Sequence, residues 1–337
     1  MHLTTLKPQD SKYTEASLSL MNKTIQLFRS NMSRPLTKEN CEALMGTALL
    51  VNYISWFDLG FLDDDSTSKL DLARDQLFFL TPGIVQLWFQ SMPIFIEQGS
   101  IFTDLTRHSP RLKIEEALVK RGVDSEHFVK LFMDIWDDPR YQHKTSPGTK
   151  STTEPTSCAW RLLLGLQMEL PHCSPVASPE PSMCEIKNGQ DKLAHLKDIV
   201  TGITSRYTSP DHPVTSVVVS LQSDRSVFET AVRRISPLLY CAALKSTSNT
   251  ILPDITSLKG DIEQLIFGFP ILCCGPLASL INEGDVRALV FLCHLYRAGR
   301  VLLPRERCWW AYRRCCVMER LILEVLEARD LGTDLFI

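Results

Sequence analysis

At 337 residues, with 44% apolar and 22% charged side chains, the chain is long enough to bury a core of its own and has a globular composition. A formal net charge of -3 excludes the overall basic excess that nucleic-acid binding uses, so DNA contact would need a local patch. Eleven cysteines, an odd count, with no apolar export core over Met1 to Ser11, predict free thiols and not a disulfide framework.

Leu18, Met21, Ile25 and Phe28 recur at helical spacing and predict a helix over residues 12–30. Arg34-Pro35 breaks it, because proline has no N–H and restrains the residue before it. Thr37 is placed to cap a second helix with Cys41, Leu44, Met45, Ala48, Leu49, Asn52 and Trp56 on one face. An acidic turn, Asp63-Asp64-Asp65-Ser66, ends that unit. Shorter helices are predicted over 82–90, with Pro82 at the opening position, and over 112–120 and 125–136.

From 137 to 188 prolines gather among Ser and Thr, and such a stretch buries too little apolar surface to offset its ordering entropy. It reads as a long loop, with one docked helix over 158–170 carrying Trp160, Leu163, Leu164 and Met168. Helices resume over 190–206 and 225–244, while the β-branched run 214–221 is a strand candidate without partner strands.

The last third is the most regular. Pro276 begins one helix, Asp285 caps the next, and Gly299 with Pro304 closes it, with Val286, Leu289, Val290, Cys293 and Tyr296 facing one way. A final helix over 305–329 is predicted to turn Trp310, Val317, Leu321 and Val325 inward. The longest apolar run, 265–280, is short for a membrane span and is broken by Gly268, Pro270, Gly275 and Pro276, so no span is predicted. The fold class is therefore all-α, a helical bundle-like domain in two parts, 1–136 and 189–337, separated by the variable Pro-rich loop 137–188.

Few patterns carry chemistry. Cys273-Cys274 and Cys315-Cys316 are adjacent pairs; helical neighbours point about 100° apart, which suits tetrahedral zinc poorly. No metal or cofactor is predicted. His294 reads as a core or boundary residue, and no nucleophile elbow, zincin or phosphate-loop motif is present, which argues against an enzyme. Among the arginines at 297, 300, 305, 307, 313 and 314, interleaved with Trp309, Trp310 and Tyr312, those at the end of one helix read as favouring its dipole and the next as solvated charges, beside inward-packing aromatics. Phe267, Phe269, Leu272, Trp309 and Trp310 remain as a bulky apolar cluster, which on the residues alone reads first as a plain packed core and second as the lining of an apolar ligand pocket.

The order of several segments resembles a known family. Phe269-Pro270, Leu277 and Leu280, then Asp285-Val286-Arg287-Ala288-Leu289-Val290, His294, and Trp309-Trp310 with Arg313 are similar to the C-terminal regulatory domain of fungal zinc-cluster transcription factors, the sterol uptake control protein group in particular. Phe28-Arg29, Asn40-Cys41-Glu42-Ala43-Leu44, Trp56, Phe78, Pro82-Gly83 and Trp88 extend the similarity to the first third. The family's six-cysteine zinc cluster has no counterpart in these residues, and Met1-His2-Leu3 resembles the close of the family's early helices, so the chain is expected to start late.

The resemblance implies a nuclear regulator of RNA polymerase II transcription that shuttles from the cytoplasm under control of a hydrophobic, sterol-like effector. Its further partners would be a second copy or a related regulator as dimer, with DNA reached only through a zinc cluster outside these residues. The five aromatic and apolar candidates would line the effector pocket. Two other readings stay open: a DNA-free dimerisation or interaction protein, and a small-molecule enzyme.

Overall fold

The computed structural model describes residues 11–32, 34–62, 70–79, 81–103, 108–124, 126–142, 224–247, 256–272 and 276–331. Of these 79% are helical and none lies in a strand, which makes the class all-α. The acidic turn, the Pro-rich stretch beyond Gln142, the helices expected over 158–170 and 190–206 and the strand candidate 214–221 lie outside the described residues.

In chain order the helices are α1 (Ser11–Met32), α2 (Cys41–Phe57), α3 (Gln76–Phe79), α4 (Thr81–Gln98), α5 (Pro110–Val119), α6 (Glu126–Asp137), α7 (Asp224–Thr247), α8 (Lys259–Leu272), α9 (Pro276–Asn282), α10 (Val286–Leu302) and α11 (Trp309–Glu327). One 3₁₀ turn, Leu72–Arg74, leads into α3, and another, Pro139–Tyr141, follows α6. The hairpin of α10 and α11 is the packing centre; α7 lies across α10 and α6, α8 lies on α5, and α2 touches both α4 and α11.

Two apolar clusters result. The larger joins Phe132, Phe228, Leu239, Phe269, Phe291, Leu292 and Ile322, from five helices that are far apart in the chain. The smaller sets Cys41, Leu44 and Met45 of α2 against Ile84, Leu87 and Phe95 of α4. The face expected of α2 is the one it buries, with Asn52 and Ser55 buried among the apolar residues and Leu49 half-buried.

Local chemistry moves several boundaries. Asn40, not Thr37, holds the cap position of α2; its side chain makes no cap hydrogen bond and instead accepts the Thr37 backbone N–H at 2.8 Å. Helix α4 runs on to Gln98 through Pro93 instead of ending near Gln90. The buried Met92 and Phe95 on either side of Pro93 tie that turn to the smaller cluster, offsetting the lost backbone hydrogen bond. Gly99, at φ +64°, ends it, letting the Ser100 N–H reach the Phe95 carbonyl at 3.1 Å. Asp285 caps α10 as expected, accepting the Arg287 backbone N–H at 2.8 Å.

Two expectations in the last hairpin are corrected. Gly299 lies inside α10, which continues to Leu302. A Cβ there would stand 2.5 Å from Cys315 Sγ, so glycine lets α11 approach closely and does not end the helix. In α11 the buried residues are Ala311, Arg314, Cys315, Met318, Glu319, Ile322 and Leu326, whereas Trp310, Val317, Leu321 and Val325 are half-buried. The inner face thus lies one residue further along, about 100° around the helix. Two charged residues, Arg314 and Glu319, sit on it with partners inside the protein, and that hid it from a hydrophobic-period reading.

Candidate functional site

Helices α2, α8 and α11 meet at an aromatic junction. Phe267 of α8 stacks on Trp310 of α11, with centroids 4.9 Å apart and planes at 29°. Tyr53 of α2 stands edge-on to both, at 5.7 Å from Phe267 and 5.8 Å from Trp310. Trp56, one turn along α2, meets Phe267 at 5.8 Å and donates its indole Nε1–H to the Phe267 carbonyl at 3.3 Å. Edge-to-face and offset pairs of this kind let each ring present its positive edge to another's negative face.

The five sequence candidates therefore divide. Phe267 and Trp310 are in direct contact. Trp309 is next to Trp310 in sequence but pairs with Phe57 of α2 at 5.6 Å, and is half-buried. Phe269, in the same large apolar cluster as Phe267, meets a different ring, Phe291, at 5.5 Å. Leu272 ends α8, and its side chain lies outside the described residues. Tyr53 is not among those five candidates, and neither is Trp56, which the sequence places on the buried face of its helix and in the resemblance. Their spacing with Phe57 was the available signal, an aromatic run covering adjoining faces of one helix end.

The electrostatics beside the junction come from Arg314, one turn after Trp310. This arginine is fully buried and corrects the expectation of a solvated charge. It pairs with Asp75 from the turn between Leu72–Arg74 and α3, and its Nη1 donates to the carbonyls of Ser55 at 3.1 Å and Asp58 at 2.8 Å. Those carbonyls close α2, where helical partners run out and a cation is favoured by the helix dipole. The Phe61 ring lies under the guanidinium, 5.3 Å away. Burial pushes the Asp75 carboxyl above the ordinary range, against the pull of Arg314 and of the Leu77 backbone N–H.

Tyr53 is 40% exposed, and its phenol is pushed up by burial and then by the neighbouring Cys308 and Glu263. It stays a protonated hydroxyl at neutral pH, a hydrogen-bond donor at the rim of the junction. Glu263 is held by Arg307. The junction therefore offers flat apolar faces with one polar rim group, a chemistry of contact and stacking.

Elsewhere the other arginines of the last third are mostly engaged. Arg297 and Arg300 both bind Glu319, at 2.8 Å and 3.0 Å, beside an open groove that also touches Cys316, Arg320 and Glu324. His294 is buried with its ring 5.2 Å from Phe132. Among the described residues no group of three or more His, Cys, Asp or Glu side chains is arranged to hold a metal ion, and no helix is long and apolar enough to cross a membrane. None of the protein-family models, curated proteins or solved structures compared with the chain matches it.

Proposed function

We propose that the chain is the effector-responsive regulatory domain of a fungal zinc-cluster transcription factor, of the sterol uptake control type. It would be a helical bundle-like domain with the Pro/Ser/Thr-rich section as a variable loop, acting in the nucleus on RNA polymerase II transcription. DNA would be read by a zinc cluster outside these residues, and a hydrophobic sterol-like molecule would be the effector. One observation carries this reading: segments that bear the family resemblance at opposite ends of the chain meet at one place. Trp56, from the first third, donates to the carbonyl of Phe267, two residues before Phe269-Pro270, and Phe267 stacks on Trp310.

An effector switches such a domain only by binding one arrangement of it more tightly than another. A junction of three helices is suited to that, because a flat apolar ligand wedged against Trp310 or Tyr53 would change how α2 and α11 pack. The test is a fusion of residues 1–337 to an unrelated DNA-binding domain, driving a reporter in fungal cells grown with and without available sterol. The expected result is a reporter whose output changes with sterol supply, together with saturable binding of a fluorescent sterol by the purified chain. An output indifferent to sterol, combined with flat sterol titrations, would refute the effector reading.

A further inference from the structure

We infer that the buried Arg314–Asp75 pair couples the aromatic junction to residues 70–79, so that a disturbance at Trp310 or Trp56 changes how firmly that segment is held.

Arg314 is positioned to do this because it is shared by three elements. Its backbone lies in α11, one helical turn from Trp310, so a shift of that turn moves both residues together. Its Nη1 holds the Ser55 and Asp58 carbonyls, the end of the helix turn that presents Tyr53, Trp56 and Phe57 to the junction. Its Nη2 holds Asp75, whose other oxygen, Oδ1, accepts the Leu77 backbone N–H at 3.0 Å and so starts α3. Trp56 adds a second tie between the same turn of α2 and the Phe267 carbonyl. Displacing the α2 turn from α11 therefore strains the guanidinium contacts on both sides.

Charge makes the link tight. Arg314 and Asp75 are both fully buried, and an ion left alone in such surroundings is strongly disfavoured, so neither can leave without the other following or water entering. Leu72, Leu77 and Phe78 bury their side chains next to Asp75, so the pair controls the register of a segment that already packs on the core. The segment reaches α2, α4, α8 and α9, which makes it a second place from which the state of the junction is felt. A network of hydrogen bonds and packed rings with shared members is the physical form that coupling between sites takes.

The use of this coupling in regulation rests on the function proposed above, but the coupling itself needs no ligand, so the two fail separately. The experiment is hydrogen–deuterium exchange on the full chain, wild type against Trp310→Ala, followed by peptide. The expected result is exchange over residues 70–79, Leu77 included, faster by about tenfold, with α7 changed by less than about threefold; a tenfold change corresponds to roughly 1.4 kcal/mol of lost protection. As a second variant, Asp75→Asn is read at the other end, where residues 53–58 should exchange faster by a similar factor. Acceleration spread equally over all helices, or 70–79 unaffected by Trp310→Ala and 53–58 unaffected by Asp75→Asn, would overturn the inference.

Discussion

Gly299 of α10 faces Cys315 of α11: a Cβ added at Gly299 would stand 2.5 Å from Cys315 Sγ and 3.7 Å from its Cβ. Only the sulfur is in the way, and Cys315 is fully buried, so it has little room to rotate. Gly299→Ala should therefore lower stability by about 1–3 kcal/mol, the usual penalty for overpacking, although alanine is the better helix former by roughly 1 kcal/mol. In a Cys315→Ala background the sulfur is gone and the helix preference is left. There the same Gly299→Ala change should be neutral or stabilising. Urea unfolding midpoints of the four proteins check this reversal of sign.

His294 predicts a pH dependence. Burial, with Arg297 adding to it, pushes the imidazole down to about 3 from an ordinary value of 6.5. The folded protein keeps it neutral while the unfolded chain takes up a proton. The stabilisation is complete above 6.5 and falls as pH drops from there toward 3. At about 1.4 kcal/mol for each unit, roughly 2 kcal/mol is lost between pH 6.5 and pH 5. Unfolding free energies measured against pH should show this slope in the wild type and a flatter one in His294→Asn.

Glu319 acts with the same sign in a lower window. Burial alone would raise its carboxyl, but the hydrogen bonds from Arg300 and Arg297 together hold it below the ordinary 4.5. Its stabilisation is present above 4.5 and is lost as pH falls through the lower folded value. Glu319→Gln should therefore be less stable than wild type at neutral pH, with the gap closing below pH 4.5. Thermal midpoints across pH 3 to 7 would separate this window from that of His294, since of the two groups the imidazole is the one that contributes between about 5 and 6.5.

The described cysteines divide by burial. Cys241 and Cys293 have thiols pushed up to about 12, and Cys315 is also raised by burial, while Cys316, beside it in sequence, is half-buried at the edge of the groove. The thiolate is the nucleophile, so at pH 8 a thiol near 12 presents only about one reactive molecule in ten thousand. Iodoacetamide labelling of the native protein, located by mass spectrometry, should mark Cys316 at least tenfold faster than Cys241, Cys293 or Cys315. Equal rates for Cys315 and Cys316 would contradict the packing of α11 on α10.

Much of the helical framework was legible because it rests on local rules. The Asp285 cap, the apolar face of α2 and the opening of α9 at Pro276 follow from residues within a turn of one another. What was not legible depends on partners far along the chain. Arg314 looked like a surface charge because Asp75, which neutralises it, is 239 residues away. Together with the buried Glu319, that arginine hid the inner face of α11 from a hydrophobic-period reading. Gly299 looked like a helix stop because the reason for glycine is a sulfur on the next helix. At the candidate site, Phe267 and Trp310 were legible as large aromatics of the last third, Phe267 two residues before a Phe-Pro pair. Their separation from Phe269 was not, since 267 and 269 lie about 200° apart around one helix and face different neighbours.

That separation gives the last prediction. If Phe267 and Trp310 share a stacked contact, the loss caused by Phe267→Ala should depend on whether Trp310 is present. The expected coupling in a double-mutant cycle with Trp310→Ala is about 0.5–1.5 kcal/mol, the range for aromatic pairs. Phe269, two residues on, meets Phe291 on the opposite side, so Phe269→Ala should cost as much on its own. Its coupling to Trp310→Ala should fall within about 0.5 kcal/mol of zero, as for separated sites. Denaturant unfolding of the five variants and the wild type measures both cycles. A Phe269–Trp310 coupling equal to that of Phe267 would mean that the two faces of α8 act as one aromatic core, and the junction would lose its standing as a distinct site.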